Sequence, residues 1–181
     1  MMNKFYITGC VKTGTTLLRR LFNAFDLNVY NKTEITLSKF ISESKYDVGK
    51  RTAGSIFSDV INQTMIDSYL GMIEKNQIKI INITRNRKDT LKSSNGYVKP
   101  KRYDECIRQS KLYSDYISYN ITYEEIVENP DKIQNELSEI FNLKILHKWS
   151  DFPNWYNNKD EVGPNLNSKE YKLRKVGEKK S

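Results

Sequence analysis

Eight residues near the start of the chain have the composition of an anion-binding loop. Residues 9–16 read GCVKTGTT and lie between a strand-like and a helix-like segment. Two glycines, Gly9 and Gly14, allow the backbone to turn tightly, so that successive N–H groups can point inward at an anion. A helix beginning at Thr15 adds the partial positive charge and unpaired amides of its first turn. The spacing therefore predicts a cradle for a phosphate group.

The lysine of this loop separates two kinds of nucleotide chemistry. The spacing matches the Walker A pattern G-x-x-x-x-G-K-[ST], but Thr15 stands where that pattern has its lysine. The lysine here is Lys12, and a later hydrophobic strand runs into Thr84 and Arg85 instead of an acidic Mg²⁺ ligand. Enzymes that use ATP or GTP need both features. A P-loop nucleotide kinase is therefore kept only as an alternative, and the sequence predicts no metal site.

A second group suited to a phosphate follows the strand-like segment 78–84. Arg85 leaves that segment and can offer a planar guanidinium fork to a phosphate at the strand's carboxyl end. Ser93 lies about two helical turns later, so its hydroxyl returns to the same side. The pair predicts a second phosphate contact.

Together these motifs resemble those of the P-loop sulfotransferases. The sequence KTGTT at residues 12–16 is similar to the family's 5′-phosphosulfate loop, [KR]-[ST]-G-[ST]-[ST]. Arg85 and Ser93 are similar to its 3′-phosphate motif, although Arg87 replaces the usual proline. The resemblance implies that the donor is 3′-phosphoadenosine 5′-phosphosulfate (PAPS), with the desulfated nucleotide PAP as product.

The resemblance also implies which residues hold this nucleotide. Lys12 would contact the sulfate, and the 5′-phosphate would be held by the remaining loop residues, Thr13, Gly14, Thr15 and Thr16. Tyr123 opens a segment similar to the family's Y-E-[DE] segment and would lie near the adenine; a core tyrosine at a strand end remains open. Arg174 and Lys175 resemble part of the R-K-G segment that closes over the 3′-phosphate, with the glycine displaced by one residue.

Candidates for the transfer step also come from the resemblance. Cytosolic relatives use a histidine after the second strand, but the single histidine of this sequence is His147. Tyrosylprotein sulfotransferases use a glutamate after the first helix, and Glu34 lies near that position; an exposed loop acid remains open. Lys50 resembles the second-strand lysine that stabilises the sulfate in Golgi-type relatives, with a solvated basic turn as the alternative. Asp47 is a second candidate base.

A parallel sheet is needed to bring these motifs together. Short β-branched or aromatic runs predict strands at residues 4–8, 46–50, 78–84 and 116–122. Apolar residues at helical spacing predict helices at 15–25, 58–75, from about 88, at 103–115 and at 129–141. Residues 28–45 predict no element. Strands that alternate with helices predict an α/β fold, a parallel β-sheet flanked by helices on both faces with a P-loop nucleotide-binding architecture.

Length and charge limit the remaining possibilities. The 181 residues suffice for one domain with its own core, expected over residues 1–168. No apolar run approaches the roughly 20 residues of a membrane span, and no signal peptide is recognisable, so we expect a cytoplasmic protein. Residues 169–181 carry six basic and two acidic side chains, half of the net charge of +8. We expect this basic tail to be solvated, to contact a polyanion or to close over the nucleotide.

The two cysteines exclude two kinds of site. Cys10 and Cys106 lie far apart in sequence and in different kinds of segment, which excludes a disulfide framework or a cysteine-based zinc site. The resemblance to the sulfotransferases implies an enzyme that transfers a sulfuryl group to a hydroxyl or amine of a saccharide, peptide tyrosine or small metabolite, with no specific nucleic-acid partner. A nucleotide- or polyanion-binding module that has lost catalysis is the second alternative.

Overall fold

The computed structural model describes residues 4–30, 34–51, 63–96 and 98–151. The predicted ligands Arg174 and Lys175, the rest of the basic tail and the expected domain boundary at residue 168 lie outside these ranges. Residues 58–62 of the predicted helix 58–75 do so as well.

Four parallel strands form one sheet. They are β1 (Lys4–Thr8), β2 (Val48–Arg51), β3 (Ile78–Thr84) and β4 (Ile117–Thr122), in the order β2-β1-β3-β4. Thr8 at the end of β1 faces Arg51 of β2 and Asn82 of β3, and Thr84 faces Thr122 of β4. The carboxyl ends of all four strands therefore meet at one edge of the sheet, which confirms the predicted α/β fold.

Seven α-helices connect or follow these strands in the described residues. They are α1 (Thr15–Leu21), α2 (Leu37–Ser42), α3 (Gln63–Lys75), α4 (Arg87–Ser93), α5 (Pro100–Ser110), α6 (Tyr123–Glu128) and α7 (Pro130–Phe141). None of the helices in this part of the chain is long and apolar enough to cross a bilayer.

Two helices differ in their bounds from the sequence expectations for local reasons. The helix predicted at 15–25 ends at Leu21, where a 3₁₀ turn, Phe22–Ala24, takes over. The helix predicted at 103–115 begins at Pro100, since proline suits the first helical turn, and ends at Ser110. The 3₁₀ segment Lys111–Tyr116 that follows departs from helical geometry at Tyr113, whose buried hydroxyl hydrogen bonds with Thr8 Oγ1 at 3.1 Å.

Alternate residues of the strands feed two separate cores, one on each face of the sheet. Phe5 and Ile7 of β1 point to the first core, where α1, α6 and α7 pack. Tyr6, between them, points to the second core, where α2 and α3 pack. This alternation is the period-two pattern of a strand, and it places helices on both faces as predicted.

The first core is closed by a segment that returns from α7 to α1. Trp149 is 2% exposed, and its ring meets that of Phe25 edge-on with centroids 6.1 Å apart. Its indole N–H donates to the Leu21 carbonyl at 3.0 Å, and its backbone N–H donates to Gln134 Oε1 at 2.9 Å. The end of α1 is thus held by a residue that lies far along the chain.

Candidate anion-binding site

The residues singled out by the motifs cluster at the carboxyl edge of the sheet. The loop 9–14 follows β1, and Lys50 is the next-to-last residue of β2. Arg85 follows β3, and Tyr123 follows β4. Because β2 and β3 lie on opposite sides of β1, the connections on its two sides diverge. Open α/β sheets bind ligands in the crevice at such a switch point. The loop 9–14 lies at this switch point.

The loop is pressed against its neighbours so closely that only glycine fits at two positions. Gly9 has a φ of +153°, and a Cβ there would clash with the Ile83 carbonyl oxygen of β3. Gly14 has a φ of +105°, and a Cβ there would lie 2.7 Å from Cδ2 of Tyr123. Both positions combine positive φ with a close approach, so the two glycines set the shape of the turn. Lys12, also at positive φ (68°), is exposed on the turn.

The threonines of the loop differ in what they can offer an anion. Thr13 is buried, and both its hydroxyl and its amide donate to the Cys10 carbonyl, at 2.7 and 3.2 Å. Thr13 therefore shapes the turn from within. The first bond of α1 runs from the Leu18 N–H to the Gly14 carbonyl at 2.9 Å. The amides of Thr15 and Thr16 precede it and have no acceptor within the helix.

Arg85 joins the two predicted phosphate motifs. Its guanidinium lies over the Tyr123 ring, 4.2 Å from the centroid, and Nη1 donates to the Lys12 carbonyl at 3.5 Å. Its Nε is buried and has no hydrogen-bond partner among the described residues. Buried donors are normally satisfied, so this N–H is suited to an acceptor supplied by a ligand.

Tyr123 provides the surface on which this arrangement rests. It is the first residue of α6, whose start is fixed by reciprocal bonds: Thr122 Oγ1 accepts from the Glu125 amide at 3.1 Å, and Glu125 Oε2 accepts from the Thr122 amide at 2.7 Å. The ring is half-buried between Gly14 and Arg85. It therefore supports the arginine directly, a role that the sequence comparison with adenine-stacking tyrosines did not anticipate.

Ser93 and Arg87 are placed less favourably than Arg85. Ser93 is the last residue of α4, and its hydroxyl donates to the Thr90 carbonyl at 3.0 Å. No hydrogen bond joins Ser93 to Arg85 among the described residues. Arg87 turns to α5 and makes two 3.1 Å bonds with Asp104, which raise the pKa of its guanidinium. Arg87 therefore points away from the candidate site.

Glu34 and Lys50, both predicted for the transfer step, come together. Lys50 Nζ lies 3.8 Å from Glu34 Oε1, with side chains 5% and 35% exposed. The backbone holds them there, since the Ile35 N–H donates to the Lys50 carbonyl at 3.1 Å. Burial lowers the pKa of Lys50 from 10.5 to about 8, against the opposing effect of Glu34. Lys50 is thus a buried strand residue, and the alternative of a solvated turn is wrong.

Two arginines that the sequence comparison did not single out share this corner. Arg19 and Arg20 of α1 both disfavour the protonated form of Lys50 by charge. Arg19 is 5% exposed and donates from Nη1 to the Tyr30 carbonyl at 3.2 Å; burial lowers its pKa to about 10. The sequence signal that could have identified these arginines is that they form an adjacent basic pair between the apolar residues Leu18 and Leu21. Three cations and one carboxylate thus make this corner positive.

Asp47, the second candidate base, is not brought to the site. It precedes β2 at the amino edge of the sheet, where its backbone pairs with Phe5 and Asn28. Its Oδ2 accepts from the Asn28 N–H at 2.8 Å, and the residue is 4% exposed. Its carboxylate therefore holds the start of the strand.

Comparison with known proteins adds no relative. No protein-family model matches the chain, and a search of curated proteins gives no match either. The functional assignment accordingly depends on the motifs and on the geometry described above.

Proposed function

We propose that this chain is a sulfotransferase with a P-loop nucleotide site, which takes PAPS as donor and sulfates a hydroxyl or amine acceptor. One observation carries the proposal. Arg85, after β3, reaches the Lys12 carbonyl and rests on Tyr123, whose ring lies against Gly14. These contacts bring together the loop, the arginine after β3 and the tyrosine that we propose lies near the adenine, although the three are distant in sequence.

The residues present fit a nucleotide with phosphates at both its 5′ and 3′ positions. The amides of Thr15 and Thr16 at the start of α1 suit the 5′-phosphate. The buried Nε of Arg85, which has no acceptor among the described residues, suits the 3′-phosphate. Lys12 is exposed on the turn and is available to the sulfate. PAPS supplies a sulfuryl group on a good leaving phosphate.

Glu34 and Lys50 divide the remaining tasks according to their exposure. Transfer to a hydroxyl or amine requires a group that accepts the proton of the nucleophile. Glu34 is half-exposed and within reach of an acceptor, whereas Lys50 is enclosed. Lys50 is mainly protonated at pH 7, since its pKa is about 8. We assign the base to Glu34, and to Lys50 the stabilisation of negative charge on the transferred group.

The test separates transfer from binding. The chain is incubated with ³⁵S-labelled PAPS and pooled saccharide, phenol and amine acceptors, and PAP binding is measured by calorimetry. Lys12→Ala should abolish transfer with modest loss of PAP affinity. Arg85→Ala should weaken PAP binding about 10- to 100-fold, because it removes a charge-assisted hydrogen bond worth about 1.5–3 kcal/mol. Lys132→Ala, on the exposed surface of α7, is the charge-matched control.

The outcomes distinguish the alternatives. PAP binding without transfer to any acceptor class would favour a binding module. Binding of ATP with Mg²⁺, and indifference to PAPS, would favour a nucleotide kinase. If Lys12→Ala and Arg85→Ala both behave like Lys132→Ala, the site assignment is wrong.

A further inference from the structure

The only two cysteines of the chain lie against each other, beside the candidate site. Cys10 belongs to the loop after β1, and Cys106 lies on α5. Both are free and buried, 4% and 5% exposed. The largest influence on the pKa of each thiol is the other thiol. They share a small apolar cluster with neighbours from the loop, α4 and α5: Val11, Leu91, Val98, Tyr103 and Ile107.

The surroundings of the pair distinguish the two sulfurs. The Cys10 thiol has the largest influence on the pKa of Cys106 and lowers it. The charge of Arg102 and the backbone of Val11 act in the same direction, against burial and the charge of Glu105. These contacts lower the pKa of Cys106 to about 7 despite its burial. The same contact and burial raise the pKa of Cys10. Near neutral pH the pair thus loses one proton readily and retains the second.

We propose that Cys10 and Cys106 form a reversible redox site, which a peroxide closes to an intramolecular disulfide that holds the anion-binding loop against α5. Two free thiols in one small buried cluster, one on the loop and one on α5, are the arrangement such a site requires. It contains an attacking sulfur, Cys106, and a resolving sulfur, Cys10, in the same cluster.

The reaction balances with hydrogen peroxide as oxidant. The Cys106 thiolate attacks one peroxide oxygen, the O–O bond breaks, and hydroxide leaves to become water, which gives a sulfenic acid. The Cys10 sulfur then attacks the Cys106 sulfur, its proton passes to the departing oxygen, and a second water forms. Two thiols lose two electrons and two protons, and the peroxide is reduced to two waters. Peroxide is small enough for a site that is nearly enclosed.

Disulfide formation is expected to alter the loop. A disulfide bond is about 2.05 Å long, shorter than any sulfur–sulfur hydrogen bond, so closure draws Cys10 towards α5. The Cys10 carbonyl is the acceptor for both the amide and the hydroxyl of Thr13. Movement of Cys10 therefore disturbs the turn that carries Lys12. The expected consequence, which rests on the proposed function, is weaker binding of the nucleotide in the oxidised protein.

The first experiment tests the disulfide alone. The reduced full-length chain is exposed to hydrogen peroxide, then denatured, alkylated with iodoacetamide and weighed by mass spectrometry. The expected product is 2 Da lighter than the reduced chain, takes up no alkyl group and runs as a monomer without reductant. Formation should accelerate as pH rises through about 7, since the thiolate attacks.

Single variants identify the two roles. In Cys10→Ser, Cys106 should be trapped by dimedone as a sulfenic acid, whereas Cys106→Ser should leave Cys10 reduced; Cys106→Ala with circular dichroism controls for folding. A wild-type chain that retains two alkylatable thiols, or that forms only intermolecular dimers, overturns the redox site.

The second experiment tests the link to the loop. The dissociation constant of PAP is compared for reduced, oxidised and re-reduced protein, with Cys106→Ser as the insensitive control. Oxidation should weaken PAP binding at least about fivefold, reversibly. Unchanged affinity in a protein shown to carry the disulfide overturns the effect on the loop. If neither form binds PAP, the proposed function fails, and the mass measurement still decides the redox site.

Discussion

Replacement of Lys50 by methionine tests whether its ammonium is kept for chemistry at the expense of stability. The Lys50 side chain is 5% exposed, and its pKa falls from 10.5 to about 8 because burial removes water from the charged form. A shift of that size corresponds to about 3 kcal/mol that disfavours the protonated folded state. The nearby carboxylate of Glu34 does not compensate for this cost, since the lowered pKa already includes its attraction.

The sign of the effect follows from proton binding. Lys50 titrates near 10.5 in the unfolded chain and near 8 in the folded chain, so between these pH values the unfolded state binds more protons. The free energy of unfolding of the wild type therefore rises with pH across this window. Methionine has a similar length and no charge. We expect Lys50→Met to be more stable than the wild type by about 1–3 kcal/mol at pH 7, with the difference shrinking towards pH 10.5.

Urea denaturation followed by circular dichroism measures this difference at pH 7 and pH 10. Comparing variants at each pH cancels the titration of all other groups. Lys50→Arg is the matched control, because arginine keeps its charge at both pH values and should show no such gain. Lys50→Met should also lose sulfuryl transfer while it gains stability. A loss of stability at pH 7, or a difference independent of pH, would refute this reasoning and make Lys50 a structural partner of Glu34.

Two further variants test the packing of the loop. Gly9→Ala should lower the free energy of unfolding by at least about 2 kcal/mol and impair PAP binding, because the added methyl meets the Ile83 carbonyl. Gly71→Ala is the control and should leave both properties intact, since nothing lies within 4 Å of a Cβ at that position. Equal melting temperatures for the two variants would contradict the close approach at Gly9. Tyr123→Leu should weaken PAP binding by about 1 kcal/mol, because it removes the ring beneath the Arg85 guanidinium. Tyr123→Phe keeps the ring and should bind PAP normally. An unchanged PAP affinity of Tyr123→Leu in calorimetry would show that the ring does not support Arg85.

Local sequence predicted the strands better than it predicted the short helices. The β-branched run Ile78–Thr84 forms β3 with the predicted bounds. In contrast, α2 was not predicted, because six residues give too little periodicity. Its position depends on tertiary packing: Phe40 lies so close to β2 that a Cβ on Gly49 would be 2.8 Å from its ring. Such an approach between distant residues leaves no local signature.

Local sequence likewise identified only part of the candidate site, and tertiary packing determines the rest. The glycine spacing and the strand-end arginine identify the loop and Arg85 from sequence, since both features are local. The contact between Cys10 and Cys106 was not foreseen, because their separation in the chain suggested unrelated positions, and it depends on how α5 packs beside the loop. The pairing of Glu34 with Lys50 likewise requires the alignment of residue 35 with β2. Resemblance suggested each residue separately, and only the fold joins them.

The contact between Trp149 and α1 has a consequence during protein synthesis. Its indole donates to the Leu21 carbonyl across 128 residues of sequence. At about 5–20 residues per second, a ribosome needs roughly 6–25 s to add the intervening chain. Throughout that interval the nascent polypeptide carries the loop and α1 without the tryptophan that covers Leu21 and Phe25. The loop 9–14 is thus synthesised well before the residue that encloses the helix behind it.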